Sequence, residues 1–212
     1  MRPWRFPFPL TQHKKLISGA IRVLQVYTGA GKGKTTAAIG LLIRALGAGM
    51  RVYMMQFMKG LAYSEQDVLR GFAPRVVLST TGKPFFVAKE GMLTEEERAA
   101  WGEGVVVFEP GNPPKDYVDM IAAGFDEAAR EIKSGEYGLA ILDEVNVALF
   151  FGLLDRARVE RLLDEAPKET ELILTGRNAP DWLMERADLV TEMREVKHYY
   201  QKGIEARKGI EN

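Results

Sequence analysis

The sequence predicts an α/β fold of three layers, with helices on both faces of a mostly parallel central sheet. Two observations carry the prediction. Short apolar, β-rich runs alternate along the chain with segments of helical periodicity, the pattern of strands joined by crossover helices. The 212 residues, 46% hydrophobic and 27% charged, also have the length and composition of one globular domain with room for a sizeable core. The chain divides into a flexible N-terminal arm, 1–20, and a single domain, 21–212. The arm is predicted from three prolines in the first nine residues, followed by Lys14 and Lys15; it is either disordered or folds on a partner.

Residues 21–27 (IRVLQVY) are the first strand, and a glycine cluster separates them from a helix over 34–46. That helix is apolar on nearly all sides, as one packed against a sheet must be, and Gly47 and Gly49 stop it. Strands follow at 51–57 and 75–79. Thr94 and Glu97 form a capping box that opens a short helix to Trp101. Residues 102–114, with three glycines and three prolines around Val105 to Phe108, read as a loop or small excursion. Val118, Ile121, Ala122, Phe125, Ala128, Ala129 and Ile132 then share one face of a long helix. A strand at 139–142, a helix starting near Asp155, a strand at 171–174, a helix opened by Pro180 and a strand at 189–193 complete the series. No internal repeat interrupts it.

Lysine plus arginine equals aspartate plus glutamate at 29 each. The balance lacks the bulk basic charge of dedicated nucleic-acid binders, so no nucleic-acid partner is expected. No cysteine occurs, which excludes disulfides, thiolate zinc, cysteine-held iron–sulfur clusters and a cysteine nucleophile. His13 and His198 are the only histidines, too few for a multi-histidine metal site. No run approaches a membrane span of about 18 apolar residues, and the opening MRPWRFPFPL lacks the apolar core of a secretory signal. A cytoplasmic protein without membrane partners is expected.

The chemistry concentrates between the first strand and the first helix, in Thr28, Gly29, Ala30, Gly31, Lys32, Gly33, Lys34, Thr35 and Thr36. The strict phosphate-loop pattern wants glycine where Thr28 stands. Gly29, Gly31 and Gly33 let backbone N–H groups turn inward and a phosphate approach closely. The helix N-terminus adds unpaired N–H groups and the positive end of its dipole. Lys34 supplies a point charge for phosphate oxygens, and Thr35 is placed to ligate Mg²⁺. The fold class narrows to a P-loop, RecA-like one. Four apolar residues then precede Asp143 and Glu144, a Walker B element whose carboxylates hold Mg²⁺ directly or through water. Arg177, just after the strand at 171–174, is placed either to neutralise a phosphate leaving group or as a turn arginine at the surface. Arg44 lies two turns along the first helix and points either back to the loop or into solvent.

The segment YTGAGKGKTTAA at 27–38 resembles the variant loop of the phosphate-loop ATP:corrinoid adenosyltransferases, in which threonine replaces the first glycine. Gln56-Phe57-Met58-Lys59-Gly60, Leu142-Asp143-Glu144 and Thr175-Gly176-Arg177 are similar to that family's QF-x-KG, LDE and TGR motifs. Val196-Lys197-His198, Gly203-Ile204 and Gly209-Ile210-Glu211 look like its tail. The motifs keep their order over 23–211. The resemblance implies transfer of the 5′-deoxyadenosyl group of ATP to the Co(I) of a corrinoid (cobyrinic acid a,c-diamide, cobinamide or cobalamin), with release of triphosphate. It implies ATP and corrinoid as substrates, Mg²⁺ or Mn²⁺, and an electron donor that takes Co(II) to Co(I). It also implies a homodimer whose N-terminal arm, here with Trp4, Phe6 and Phe8, covers the partner's site.

Co(I) is itself a strong nucleophile, so no general base is needed, and none is conspicuous. Lys34 and Arg177 are the candidate catalytic residues, acting on the triphosphate. The family binds its nucleotide in the reverse sense to ordinary ATPases, with which Thr28 and Lys32 are compatible. The family's aromatics after a TG pair become Thr81-Gly82-Lys83-Pro84-Phe85-Phe86 here, with no tryptophan and shifted spacing. Phe85 and Phe86 are candidates for the corrinoid wall or for ordinary packing, and 102–114 looks inserted. His198 reads as a structural hydrogen-bonding residue rather than a cobalt ligand. Two other readings compete: a RecA-like ATPase or kinase acting on the γ-phosphate, and a nucleotide-dependent module that binds corrinoid without chemistry.

Overall fold

The computed structural model describes residues 23–204 and 206–211; the arm predicted over 1–20 lies outside the described residues. The elements run β1 (Leu24–Thr28), α1 (Lys34–Gly47), β2 (Val52–Phe57), α2 (Ser64–Arg70), β3 (Val76–Thr81), β4 (Phe86–Lys89), α3 (Glu95–Trp101) and β5 (Val105–Phe108). They continue with α4 (Lys115–Lys133), β6 (Leu139–Asp143), α5 (Val145–Phe150), α6 (Arg156–Glu165), β7 (Glu171–Thr175), α7 (Asp181–Arg186) and β8 (Leu189–Glu192). Six strands form one sheet in the order β3-β2-β6-β7-β1-β8, and every pairing in it is parallel.

Parallel strands covered on both faces have no polar side to show, so they read as continuous apolar runs. β2 (VYMMQF) and β6 (LAILD) are buried at every position. Alternate residues serve alternate layers. Tyr53, Met55 and Phe57 pack with Ala140 and Leu142 against Ile121, Phe125 and Ile132 of α4. Val52 and Met54 pack with Leu139, Ile141 and Ile173 against Ala38, Leu42 and Leu46 of α1. The same period of two sends Gln56, Asp143 and Thr175, the polar residues at the carboxyl ends of β2, β6 and β7, to the α1 side. The register sets Gln56 opposite Asp143. Three buried polar side chains thus meet beside the start of α1.

The capping box forms as expected: Glu97 N–H donates to Thr94 Oγ1 at 3.1 Å, and Thr94 N–H donates to Glu97 Oε2 at 2.9 Å. Asp155 caps α6 by accepting from Ala157 N–H at 3.3 Å. Four elements, β4, β5, α2 and α5, differ from expectation. The stretch 102–114 holds a strand, β5, which pairs in parallel with β4 as a separate two-stranded sheet. Its Val-Val-Val-Phe run needed a partner across α3 to become a strand, and no local signal names that partner. The helix α2 (SEQDVLR) buries only Gln66 and Leu69, too little periodicity to stand out. The helix α5 (VNVALF) is only six residues, three of them, Val145, Val147 and Phe150, of β-favouring type. No helix among the described residues is long and apolar enough to cross a membrane.

Candidate nucleotide-binding site

Five residues, 29–33, join β1 to α1. Gly33 is the N-cap residue with φ of 115°, and no side chain caps the helix. The first N–H groups of α1, at Lys34, Thr35 and Thr36, therefore lack intrahelical acceptors and face the carboxyl edge of the sheet, where the dipole favours an anion. Lys34 is buried, and its Nζ donates to the carbonyls of Gly29 and Gly31 at 2.8 Å each. Burial lowers its pKa, against the opposing influence of Glu144 and Asp143 and with that of Arg177.

The loop glycines answer to a different neighbour from the one the sequence suggested. A Cβ on Gly29, whose φ is 95°, would lie 2.4 Å from the Met193 carbonyl oxygen, and one on Gly31 would lie 2.7 Å from the Arg194 backbone. Gly31 N–H donates to Met193 O at 2.7 Å, and Met193 N–H donates to Thr28 O at 2.8 Å. Glycine is required at 29 and 31 because the chain leaving β8 lies against the loop. The Gly31 N–H is committed to Met193 and does not face a phosphate.

Asp143, fully buried, organises the opposite wall. Its Oδ1 accepts from Thr35 Oγ1 at 2.9 Å and from Thr175 Oγ1 at 2.6 Å. Its Oδ2 accepts from Gln56 Nε2 at 3.3 Å and pairs with Lys59 Nζ at 3.1 Å. Lys59 also pairs with Glu65 of α2 at 3.1 Å, and its ammonium lies 4.8 Å from the centre of the Tyr63 ring. Burial works against the Lys59 charge, but Asp143 and Glu65 outweigh it and hold the pKa above its usual value. Glu144 adopts a left-handed φ of 61° at the start of α5, with its N–H donated to Thr175 Oγ1 at 3.1 Å. Burial first, and the Asp143 charge second, push its carboxyl up to about 7 against Lys59, Lys34 and Arg177.

Arg177 is exposed, just after Gly176, whose φ of 133° and N–H bond to Tyr27 O at 3.1 Å turn the chain out over the edge. Its charge is felt at both Lys34 and Glu144. Thr28 accepts from Ala179 N–H through Oγ1 at 3.2 Å, bracing that turn. Ala30, Lys32 and Thr36 are exposed around the loop. Lys32 is tied to the tail: its Nζ donates to Ile210 O at 3.1 Å and lies 3.4 Å from Glu211. Glu211 is held well below the usual carboxylate range by its hydrogen bonds with Arg207 and Tyr199. His198 accepts from Tyr200 N–H at 3.1 Å and so caps a 3-10 turn, as its structural reading expected.

Arg44 stands apart. It is exposed in the last turn of α1 and lines a cavity of about 320 Å³ with Gln25, Leu139 and Glu171, at the amino edge of the sheet. The rise of the helix carries it away from the loop, and its side chain does not reach back. Phe85 and Phe86 diverge. Phe85 packs on the core with its ring 5.8 Å from Tyr117, whereas Phe86 is 54% exposed and meets Trp101 edge-on at 4.9 Å. Their segment is locked to the site from behind. A Cβ on Gly60 would lie 2.3 Å from the Lys83 carbonyl carbon, and one on Gly82 would lie 2.5 Å from Lys59 N. Gln56, Lys59 and Thr175 stood in the quoted motifs without an assigned role, and Glu65 was not singled out in the sequence. The signal for Gln56 and Thr175 was a polar side chain at the end of an apolar strand, whereas Lys59 lies beyond β2 and Glu65 lies in α2.

An uncapped helix start, a buried lysine in a glycine loop and a threonine bonded to a buried strand-end aspartate define a phosphate-loop nucleotide-binding protein. Residues 21–212 match the family described as ATP:corrinoid adenosyltransferase BtuR/CobO/CobP, and the chain belongs to that family. The corrinoid adenosyltransferase of Pseudomonas aeruginosa is 35% identical over 190 residues, 89% of this chain and 83% of that one. A corrinoid adenosyltransferase of a Sinorhizobium species is 35% identical over 188 residues, 88% of this chain and 78% of its own. The corrinoid adenosyltransferase of Escherichia coli K12 is 29% identical over 190 residues, 89% and 85% of the two chains. The chain is thus a transferase with corrinoid adenosyltransferase activity, and the family implies ATP and a corrinoid as its substrates.

Proposed function

We propose that this protein transfers the 5′-deoxyadenosyl group of ATP to the Co(I) of a corrinoid, cobyrinic acid a,c-diamide, cobinamide or cobalamin, and releases triphosphate. One observation carries the reading: the open start of α1 and the Lys34 ammonium converge on a single seat for a polyanion. A cobalt–carbon bond forms at C5′ while the C5′–O bond breaks, and the electron pair leaves on the triphosphate. Co(I) brings its own electron pair, so the protein has no proton to remove. Its tasks are to hold C5′ within about 3–3.5 Å of the nucleophile and to stabilise charge on the leaving group. Lys34, the N–H groups at 34–36 and Arg177 suit the second task.

Thr35 and Asp143, 2.9 Å apart with Glu144 adjoining, offer the few hard oxygen donors that Mg²⁺ or Mn²⁺ takes beside a nucleotide. Bound there by Thr35, Asp143 and Glu144, the ion would supply further charge neutralisation. Co(II) must first be reduced, and the likeness to the family implies a separate electron donor for that step. ATP as substrate supports a cytoplasmic location. Val196, Ile204 and Ile210 of the tail are exposed, apolar surface that supports a homodimer.

A second reading has its own observation. Glu144, with a pKa of about 7, is suited to act as a general base for water attacking the γ-phosphate. An anaerobic assay with ATP, Mg²⁺ and chemically reduced cob(I)alamin separates the two. Light-sensitive adenosylcobalamin with free triphosphate is expected; ADP and orthophosphate with the corrinoid unchanged would overturn the transferase chemistry.

A further inference from the structure

We propose that Lys59 is a resident cation on Asp143, seated on the carboxylate a divalent metal needs, so that metal binds only by displacing it. The inference rests on the reading of Thr35 and Asp143 as metal-holding residues. A carboxylate offers about four lone-pair positions on its two oxygens. In Asp143 all are used: Thr35 and Thr175 on Oδ1 at 2.9 and 2.6 Å, Gln56 and Lys59 on Oδ2 at 3.3 and 3.1 Å. The side chain is fully buried, so water cannot make up a lost contact. A cation that joins this carboxylate must replace one of the four.

Charge decides which. Thr35, Thr175 and Gln56 are neutral donors, and Gln56 is fixed by its register opposite Asp143 and by the amide of Gln66, which donates to its Oε1 at 3.0 Å. Lys59 alone is a cation, and two cations on one buried carboxylate repel steeply. Its second acceptor is already in place, because Glu65 Oε1 lies the same 3.1 Å from Nζ as Asp143 Oδ2. The backbone is pinned: Lys59 N–H donates to Thr81 O at 3.2 Å, and Gly82 abuts Lys59 N. Only the side chain is free to yield. Lys59 balances the buried charge while no nucleotide is bound and bars free divalent cations, so that the metal enters together with the phosphates.

The test titrates the full chain with Mn²⁺, with and without ATP, following the signal of free Mn²⁺ by electron paramagnetic resonance. Lys59→Met is expected to bind Mn²⁺ without ATP at least about tenfold more tightly than the parent, as one competing charge is removed. Its melting temperature should rise with Mn²⁺, while Lys59→Arg behaves as the parent. Glu65→Gln, which removes the alternative seat, is expected to weaken Mn²⁺·ATP binding, and it decides the matter should Lys59→Met fold poorly. Parent-like Mn²⁺ affinity in Lys59→Met, or in Glu65→Gln with ATP, overturns the proposal. Asp143→Asn separates the two layers. If it leaves Mn²⁺·ATP affinity unchanged, the metal reading itself is wrong; if it abolishes binding while Lys59→Met gains none, only the role of Lys59 falls.

Discussion

Gly31 donates its N–H to the carbonyl of Met193 at 2.7 Å, and a Cβ at Gly31 would collide with the Arg194 backbone at 2.7 Å. The phosphate loop is therefore shaped from behind by the chain that leaves β8. Gly31→Ala should force that chain off the loop, costing about 1–3 kcal/mol of stability as overpacking does. ATP affinity should fall with it, because the start of α1 is aimed by the same loop. Thermal melting with an ATP titration checks both; an unshifted melt with parent-like affinity would show that residues 193–194 do not brace the loop.

Lys34→Ala should cut turnover severely while leaving the fold in place. The ammonium is buried, and burial already works against its charge, so its two bonds to the Gly29 and Gly31 carbonyls are offset by its desolvation. Stability should change by no more than about 1 kcal/mol. Loss of the charge facing the triphosphate should cost about 10²–10³ in turnover. Circular dichroism and the anaerobic assay give the two readouts, and near-normal turnover would remove Lys34 from the site.

The phosphate loop and the acids at the end of β6 were legible because each is contiguous: a strand, a glycine run and a helix start are neighbours in the chain. Lys59 was not. Its role needs the β2–β6 register that sets Gln56 beside Asp143, and register is a long-range choice that no local pattern fixes. The reason for glycine at 29 and 31 was hidden for the same cause, since the colliding backbone comes from beyond β8. Arg44 was ambiguous because helical spacing gives a direction but not a reach. The β4–β5 pair was missed because parallel strands across a helix carry no turn signature.

Phe85 and Phe86 are adjacent in sequence but should separate cleanly on mutation. Phe85 packs on the core and meets Tyr117, so Phe85→Ala should cost roughly 2 kcal/mol, less than a fully buried phenylalanine because the side chain is only half-buried. Phe86, 54% exposed against Trp101, should cost under about 1 kcal/mol on truncation. If either ring meets the corrinoid, it is Phe86, and Phe86→Ala should raise the corrinoid KM with the ATP KM unchanged. Melting curves paired with both KM values decide this; a corrinoid effect confined to Phe85→Ala would reverse the assignment.

Glu144 gives the protein a pH dependence of defined sign. Burial and the neighbouring Asp143 raise its carboxyl from 4.5 to about 7, so the folded state holds a proton that the unfolded chain releases. The stability this proton contributes is complete below the unfolded pKa and is lost as pH rises through about 7. The loss proceeds at no more than about 1.4 kcal/mol per pH unit for one group. Glu144→Gln keeps a neutral side chain of the same shape at every pH and should abolish that slope. Between pH 5 and about pH 8 the variant should therefore gain stability relative to the parent, read as converging and then crossing urea midpoints. Parallel pH profiles for the two proteins would mean that the folded carboxyl titrates near its ordinary value, and the general-base reading of Glu144 at the γ-phosphate would lose its support as well.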